Sequence, residues 1–215
     1  MLVALLVVTT PTRAYEAYNI SNLIINHQKQ LLNVTPVKER DASLNQKTTD
    51  ADRADICGRA TLKAEKDYQI KPELLQTIAM VESGRWDKTL NRRVAWPWTV
   101  QSNGHGHYYK TKEEAVAAVK ALQAQGVKNI DVGCMQINLK YHGHAFKSVE
   151  EALEPEKNVA YGAKFLQKLY QNNGHNWQKT AMQYHSKNHT NGMMYKKRLE
   201  KHYAAYINSA QSLFE

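Results

Sequence analysis

Apolar positions recur at spacings of three and four through much of this chain, the period of a helix with one buried face. In the segment from Lys71 to Gly84, Leu74, Leu75, Ile78 and Ala79 form such a stripe. Pro72 suits the first turn of this helix and Gly84 its stop. Upstream, Ala54, Cys57, Ala60 and Ala64 predict a first helix with Cys57 facing inward. The pattern changes over residues 94–110. There, Val94-Ala95-Trp96-Pro97-Trp98-Thr99-Val100 and His107-Tyr108-Tyr109 flank a Gly-rich stretch, Asn103-Gly104-His105-Gly106. Aromatic and β-branched runs on either side of such a turn predict a hairpin. Thr111-Lys112-Glu113-Glu114 is a capping box, opening a helix through Ala115, Val116, Val119 and Leu122 that Gly126 stops. Ile130-Asp131-Val132-Gly133 reads as a short extended piece. Helical spacing resumes near 149–153, 156–172 (Val159, Ala163, Leu166, Leu169), 176–185 and 193–208. The last of these carries Tyr195, Leu199, Tyr203, Tyr206 and Ile207. There is no internal repeat, and the expected class is mainly α (α+β): a helical domain with a small β-hairpin insertion.

The ends read differently. Met1-Leu2-Val3-Ala4-Leu5-Leu6-Val7-Val8 is continuously apolar, and Thr12-Arg13-Ala14 follows with small residues at a spacing that signal peptidase accepts. Residues 1–14 therefore resemble a secretory signal, although no basic stretch precedes the apolar run. The run is too short to span a bilayer, and no other transmembrane candidate occurs. Residues 15–50 are polar and rich in Asn, Gln, Lys and Thr, a tether with one short helix around Ile20–Leu32. Residues 51–210 are the globular part, and a single folded domain is the default for 215 residues that are 42% apolar. Two cysteines, Cys57 and Cys134, remain for an exported chain. An even count in that setting suggests one disulfide, the alternative being two buried thiols that never meet.

Charge adds a direction. Lys and Arg outnumber Asp and Glu by 29 to 20, a formal net charge of +9. That excess favours solubility or an anionic partner, such as nucleic acid or a carboxylate-rich polymer like a bacterial cell wall. No long Lys/Arg run or nucleic-acid signature supports the first of these partners. The pairs His105-Gly106-His107 and His142-Gly143-His144 lack the third ligand and base that a zinc site needs, and no H-E-x-x-H occurs. No metal and no cofactor is expected.

Glu82 is the residue that stands out. Extending the Leu74–Ala79 stripe by one turn lands on it. A carboxyl there is partly desolvated and lies at the negative end of the helix dipole, and both effects favour its protonated form. A raised pKa is what a general acid working near neutral pH requires. The plainer alternative is a Glu at the core rim that reaches water or pairs with Arg85.

Four signals then fall in order. Glu82-Ser83-Gly84-Arg85 closes a helix, and Asp131-Val132-Gly133-Cys134-Met135-Gln136-Ile137-Asn138 follows an insertion. Pro155, Asn158-Val159-Ala160-Tyr161-Gly162-Ala163 and Leu166 open a long helix, and Trp177, Ala181 and Tyr184-His185-Ser186 come last. Across residues 54–205 this order resembles the soluble lytic transglycosylase (SLT domain) family, which has a lysozyme-like fold. The family's markers are a helix-ending Glu-Ser, a Gly-Leu-Met-Gln-Ile segment, an Asn-containing helix start and a closing Ala-Tyr-Asn.

The resemblance implies roles. Glu82 matches the catalytic acid/base and Ser83 a neighbouring hydroxyl that helps hold substrate. Gln136 matches a glutamine reaching into the sugar cleft, with Met135 lining it, and Tyr184 matches a tyrosine whose phenol hydrogen-bonds the catalytic carboxylate. Cys134 stands where the family has Leu, which fits a Cys57–Cys134 bridge pinning the first helix to the cleft wall. His185-Ser186 departs from the family ending, and His185 either touches substrate or is structural. The long stretch between Glu82 and Gln136 reads as a groove wall, with Trp96, Trp98 and Tyr109 either stacking on sugars or buried as core.

The implied activity is cleavage of the N-acetylmuramic acid–N-acetylglucosamine bond of peptidoglycan with closure of a 1,6-anhydro ring. A hydrolytic glycosidase generally uses two carboxylates. Only one has a motif here, since Asp87 and Asp131 more plausibly cap or pair. A goose-type-lysozyme-like hydrolase and a non-catalytic wall-binding or secretion-assembly protein are the rivals. Peptidoglycan strands are the expected partner and the tether a recruiter of secretion or envelope machinery. A monomer in the periplasm or outside the cell is expected.

Overall fold

The computed structural model describes residues 50–88 and 91–211. The expected signal at 1–14, nearly all of the tether and its helix lie outside the described residues. The side chains of Ala54, Tyr206 and Ile207 likewise fall outside what is described. Helix α1 spans Asp50–Asp67 and α2 Leu74–Ser83; strands β1 (Gly84–Asp87), β2 (Arg92–Ala95), β3 (Thr99–Ser102) and β4 (His105–Tyr108) follow. After α3 (Lys112–Ala124) come β5 (Ile130–Val132), β6 (Ile137–Asn138), α4 (Leu139–His142) and α5 (Val149–Ala152). Helices α6 (Pro155–Asn172), α7 (Trp177–His185) and α8 (His189–Gln211) complete the order. The architecture is mainly α and lysozyme-like, with a small antiparallel sheet.

Two main cores divide the work, with a small third cluster of Val94 and Trp96. The larger joins α1, α2, α6, α7 and α8 through Cys57, Leu75, Ile78, Val159, Leu166, Tyr195 and Leu199. The smaller packs the sheet against α3 and α5 through Val100, Val116, Val119, Ile130, Val132 and Leu153. The sheet runs β4-β3-β5-β6, all antiparallel, and β1 and β2 form a separate hairpin. The expected 94–110 hairpin is present as β3–β4, turning at Asn103-Gly104, both with positive φ.

Helix α2 begins later than its sequence suggests. Pro72 lies outside it, and the N-terminal residue Glu73 adopts a left-handed φ of 66° with no cap of its own. The missing cap comes from α1. Buried Glu65 accepts hydrogen bonds from the backbone N–H of Glu73 (3.0 Å), Leu75 (2.8 Å) and Gln76 (3.2 Å), satisfying donors that a helix start leaves open. At the other end, Gly84 is extended rather than left-handed. Its role is space, because a Cβ there would sit 2.1 Å from the Met80 carbonyl oxygen.

A disulfide, Cys57–Cys134, ties α1 to the segment between β5 and β6, with Cα atoms 5.8 Å apart. The same segment is held from the far side by Asn158, fully buried at the start of α6. Its amide donates to the carbonyls of Val132 and Ala152 (both 2.9 Å) and accepts from the Met135 N–H (2.9 Å). Gly133 bends between these anchors with φ +82°, and any Cβ would lie within 2.4 Å of the Asn158 amide. A buried amide that uses both donors and its acceptor leaves costly orphans if removed. The segment carrying Met135 and Gln136 is therefore fixed on two sides.

Candidate active site

The two lobes leave a cleft of about 330 Å³ between them. The end of α2 supplies Glu82; β3, β5 and β6 supply Gln101, Asp131 and Asn138; Gln136, just before β6, also lines it. Facing the sheet are His142, Tyr161, Phe165, Tyr184 and His185, with Tyr141 at the mouth. One wall is thus aromatic and the other a row of amides and a carboxylate. A larger apolar groove, about 390 Å³, lies between α2, α7 and α8, but Lys196 and Glu200 there already pair at 3.1 Å and no polar groups converge.

Glu82 is half-buried, with its open side on the cleft. Burial pushes its carboxyl up to about 7. The Tyr195 hydroxyl and the Arg198 guanidinium pull downward, and the nearby negative charge of Asp131 pushes further up. Arg85 does not pair with Glu82; its guanidinium stacks 3.3 Å over the Trp96 ring and sits 3.8 Å from Asp87.

A pH dependence follows. Glu82 titrates near 4.5 in an unfolded chain and near 7 in the folded one, so between these values the folded state holds the extra proton and stability falls as pH rises. Relative to Glu82→Gln, the wild type is expected to lose up to about 3 kcal/mol across that window, at 1.36 kcal/mol per unit of pKa. Paired melting curves at pH 4.5 and 7.5 measure it; a difference in Tm that does not change with pH would count against a raised carboxyl.

The structure distributes the other expected residues unevenly. Gln136 enters the cleft with φ 46°, and its amide N–H₂ is held by the carbonyls of Gly133 (2.9 Å) and Thr99 (3.2 Å). Its carbonyl oxygen is buried without a partner, an acceptor waiting for a donor. Tyr184 and His185 line the cleft. The Tyr184 hydroxyl, however, donates to the Met135 carbonyl at 2.9 Å. The hydroxyl directed at Glu82 belongs instead to Tyr195 on α8, which stacks flat on His185 with ring centres 4.6 Å apart. Tyr195 is fully buried, and its hydroxyl approaches Glu82 without reaching the geometry of a complete hydrogen bond.

Five residues lie elsewhere. Ser83 is fully buried, its hydroxyl against the carbonyls of Cys134 (2.8 Å) and Ala79 (3.1 Å), so it ties the helix end to the disulfide segment and is out of reach of a substrate. Met135 is also fully buried, beneath the cleft against Gly162. Trp96 is core, its ring N–H donating to the Tyr109 carbonyl at 2.7 Å. Trp98 and Tyr109 are half-buried against the smaller core and absent from the cleft lining. The insertion does form a groove wall, but through Gln101 and Asp131. The aromatic wall that sequence reading missed is Tyr161 and Phe165, with His142 holding the Tyr161 hydroxyl at 2.8 Å. Tyr161 and Phe165 are four apart on α6, off its core stripe, and that second aromatic face was the available signal.

Among the described residues no group of three or more His, Cys, Asp or Glu could hold a metal, and no helix is long and apolar enough to cross a membrane. His105 and His107 are exposed on β4.

A helical lobe and a small sheet enclosing a cleft, with one acid poised near neutral pH, define a lysozyme-like protein. The transglycosylase SLT domain model matches residues 59–207, and the chain belongs to that family, whose members are lytic transglycosylases acting on peptidoglycan. Searches of curated proteins and of solved structures found no match.

Proposed function

We propose that this protein cleaves the β-1,4 bond between N-acetylmuramic acid and N-acetylglucosamine and leaves a 1,6-anhydro-muramic end, with Glu82 as acid and then base. The observation that carries the reading is the Glu82 carboxyl, raised to about 7 by burial while open to the cleft. Protonated Glu82 gives its proton to the glycosidic oxygen as the C1–O bond breaks. The ionised carboxylate then takes the proton of the muramyl C6 hydroxyl as that oxygen closes onto C1, and Glu82 ends as it began. One residue serves both steps best when its pKa lies near ambient pH.

Gln136 offers its unpartnered carbonyl oxygen to a sugar N–H or hydroxyl. The aromatic wall of Tyr161, Phe165 and Tyr184 faces the apolar side of the rings, and His185 closes that wall. In this reading residues 51–210 are the catalytic domain, 1–14 an export signal and 15–50 a tether, and the protein works in the bacterial envelope as a monomer on glycan strands, beside secretion or envelope machinery. Mass analysis of fragments from purified peptidoglycan tests the reading. Fragments one water lighter than hydrolytic products are expected; ordinary reducing ends would replace this reading with a muramidase.

A further inference from the structure

The row of polar residues opposite the aromatic wall contains a second carboxylate. In the antiparallel register Gln101 lies beside Asp131 and Asp131 beside Asn138, so three adjacent strands present these side chains on one face, and all three line the cleft. Asp131 therefore shares a cavity with Glu82, although it lies far from it in sequence.

The two acids sit in contrasting surroundings. Glu82 ends an apolar stripe. Asp131 is held by amides: the Asn138 side-chain N–H₂ donates to one Asp131 oxygen at 2.8 Å and to the Asn129 side-chain oxygen at 2.7 Å. Asn138 cannot turn its amide round freely, because its own oxygen accepts the backbone N–H groups of Lys140 (3.1 Å) and Tyr141 (3.3 Å) at the start of α4. The donor aimed at Asp131 is thus fixed by a helix cap. Asn138 thus holds one Asp131 oxygen, and Asp131 lines the cleft. Burial raises Asp131 and the Asn138 bond draws it back, while the charge of Asp131 contributes to the raised pKa of Glu82. One carboxyl in an apolar setting and one in a hydrogen-bonded setting is how paired acids acquire different protonation states.

We infer that Asp131 is a second catalytic carboxylate, which in its ionised form stabilises the positive charge that develops at the anomeric carbon of the muramyl unit. This rests on the glycan-cleaving reading above and adds to it. As Glu82 protonates the leaving oxygen and the C1–O bond breaks, the cation at C1 lies between the Asp131 carboxylate and the incoming C6 hydroxyl. The C6 oxygen forms the new bond to C1, its proton returns to Glu82, and Asp131 leaves unchanged. A fixed anion facing a developing charge acts on the transition state more than on substrate binding.

The test is Asp131→Asn, which keeps the size of the side chain and an oxygen for Asn138. Turnover of soluble glycan strands is expected to fall about 100-fold with KM nearly unchanged, the size typical of losing one preorganised electrostatic group. The pH–rate profile is a second readout: removing the Asp131 charge should move the limb belonging to Glu82 to lower pH, which a purely structural role would not do. Turnover within a few-fold of wild type, with that limb unmoved, overturns the inference. Where Asp131→Asn lacks a cooperative melt, Asp131→Ala with added formate takes its place, and recovery of rate by formate supports the role while its absence opposes it. Product masses from the wild type separate the two readings. Reducing ends together with a slow Asp131→Asn would reject ring closure and keep Asp131. Anhydro ends with a fast Asp131→Asn would do the reverse. No cleavage by the wild type would reject both.

Discussion

Glu82→Gln is expected to stop glycan cleavage, lowering turnover by at least about 10³-fold, within the 10² to 10⁴ that one general acid–base group supplies. In the proposed mechanism Glu82 acts in both steps, so the amide removes the proton donor for bond breaking and the acceptor for ring closure. The variant should fold and bind peptidoglycan as before, because the amide keeps the size and shape of the carboxyl. Wall sedimentation separates binding from turnover. In the wild type, activity should fall as pH rises above about 7, where Glu82 loses the proton with which the first step starts. Turnover by Glu82→Gln near the wild-type level would transfer the acid's role to another group.

The second large effect concerns the disulfide. Cys57→Ser with Cys134→Ser is expected to cost about 4 kcal/mol, from the chain entropy returned to the unfolded state when a closed loop of this length opens. The bridge spans a sequence separation of 77. For a domain of this size the loss lowers Tm on the order of 10 °C. Activity should fall as well below the melt, because Cys134 lies two residues before Gln136 and its carbonyl receives the Ser83 hydroxyl at the end of α2. Melting curves with and without reductant read the first effect, and turnover at 25 °C the second. An unchanged Tm would mean that Asn158 and the cores hold the segment unaided.

Local rules read the helices well. The stripe through Leu75, Ile78 and Ala79 is buried as its spacing requires, with Leu74 half-buried, and Gly126 follows α3 with φ +81°. The Thr111 side chain caps α3 (3.2 Å to the Glu114 N–H), while the Glu114 carboxylate accepts the Lys110 N–H (2.8 Å), one residue before the position a capping box expects. Glu82 was legible for the same reason: one polar residue on an apolar period is visible from spacing alone. What escaped depends on contacts between distant segments. The start of α2 is set by Glu65 from another helix, which no local capping rule can register. Ser83 and Met135 sit beside a cleft-lining residue in sequence and yet face the core, since neighbouring positions on a helix or tight turn point in different directions. Trp98 and Tyr109 are aromatics in the long stretch between Glu82 and Gln136, whereas the cleft takes its rings from α4, α6 and α7. Asp131 reads locally as a capping acid, because the register of three strands is what brings it into the cleft with Glu82.

The partnership of Glu82 with Tyr195 carries a consequence for the order in which the protein is made. Synthesis runs from the N-terminus, so the acid emerges early and the tyrosine that covers it belongs to the last described helix. Until α8 docks, Glu82 lacks the Tyr195 hydroxyl and the Arg198 guanidinium, the two groups that draw its carboxyl down against the push of burial. A chain clipped ahead of α8 would therefore hold this acid with a different proton affinity. The last described helix thus completes the tuning of an acid that emerges well before it.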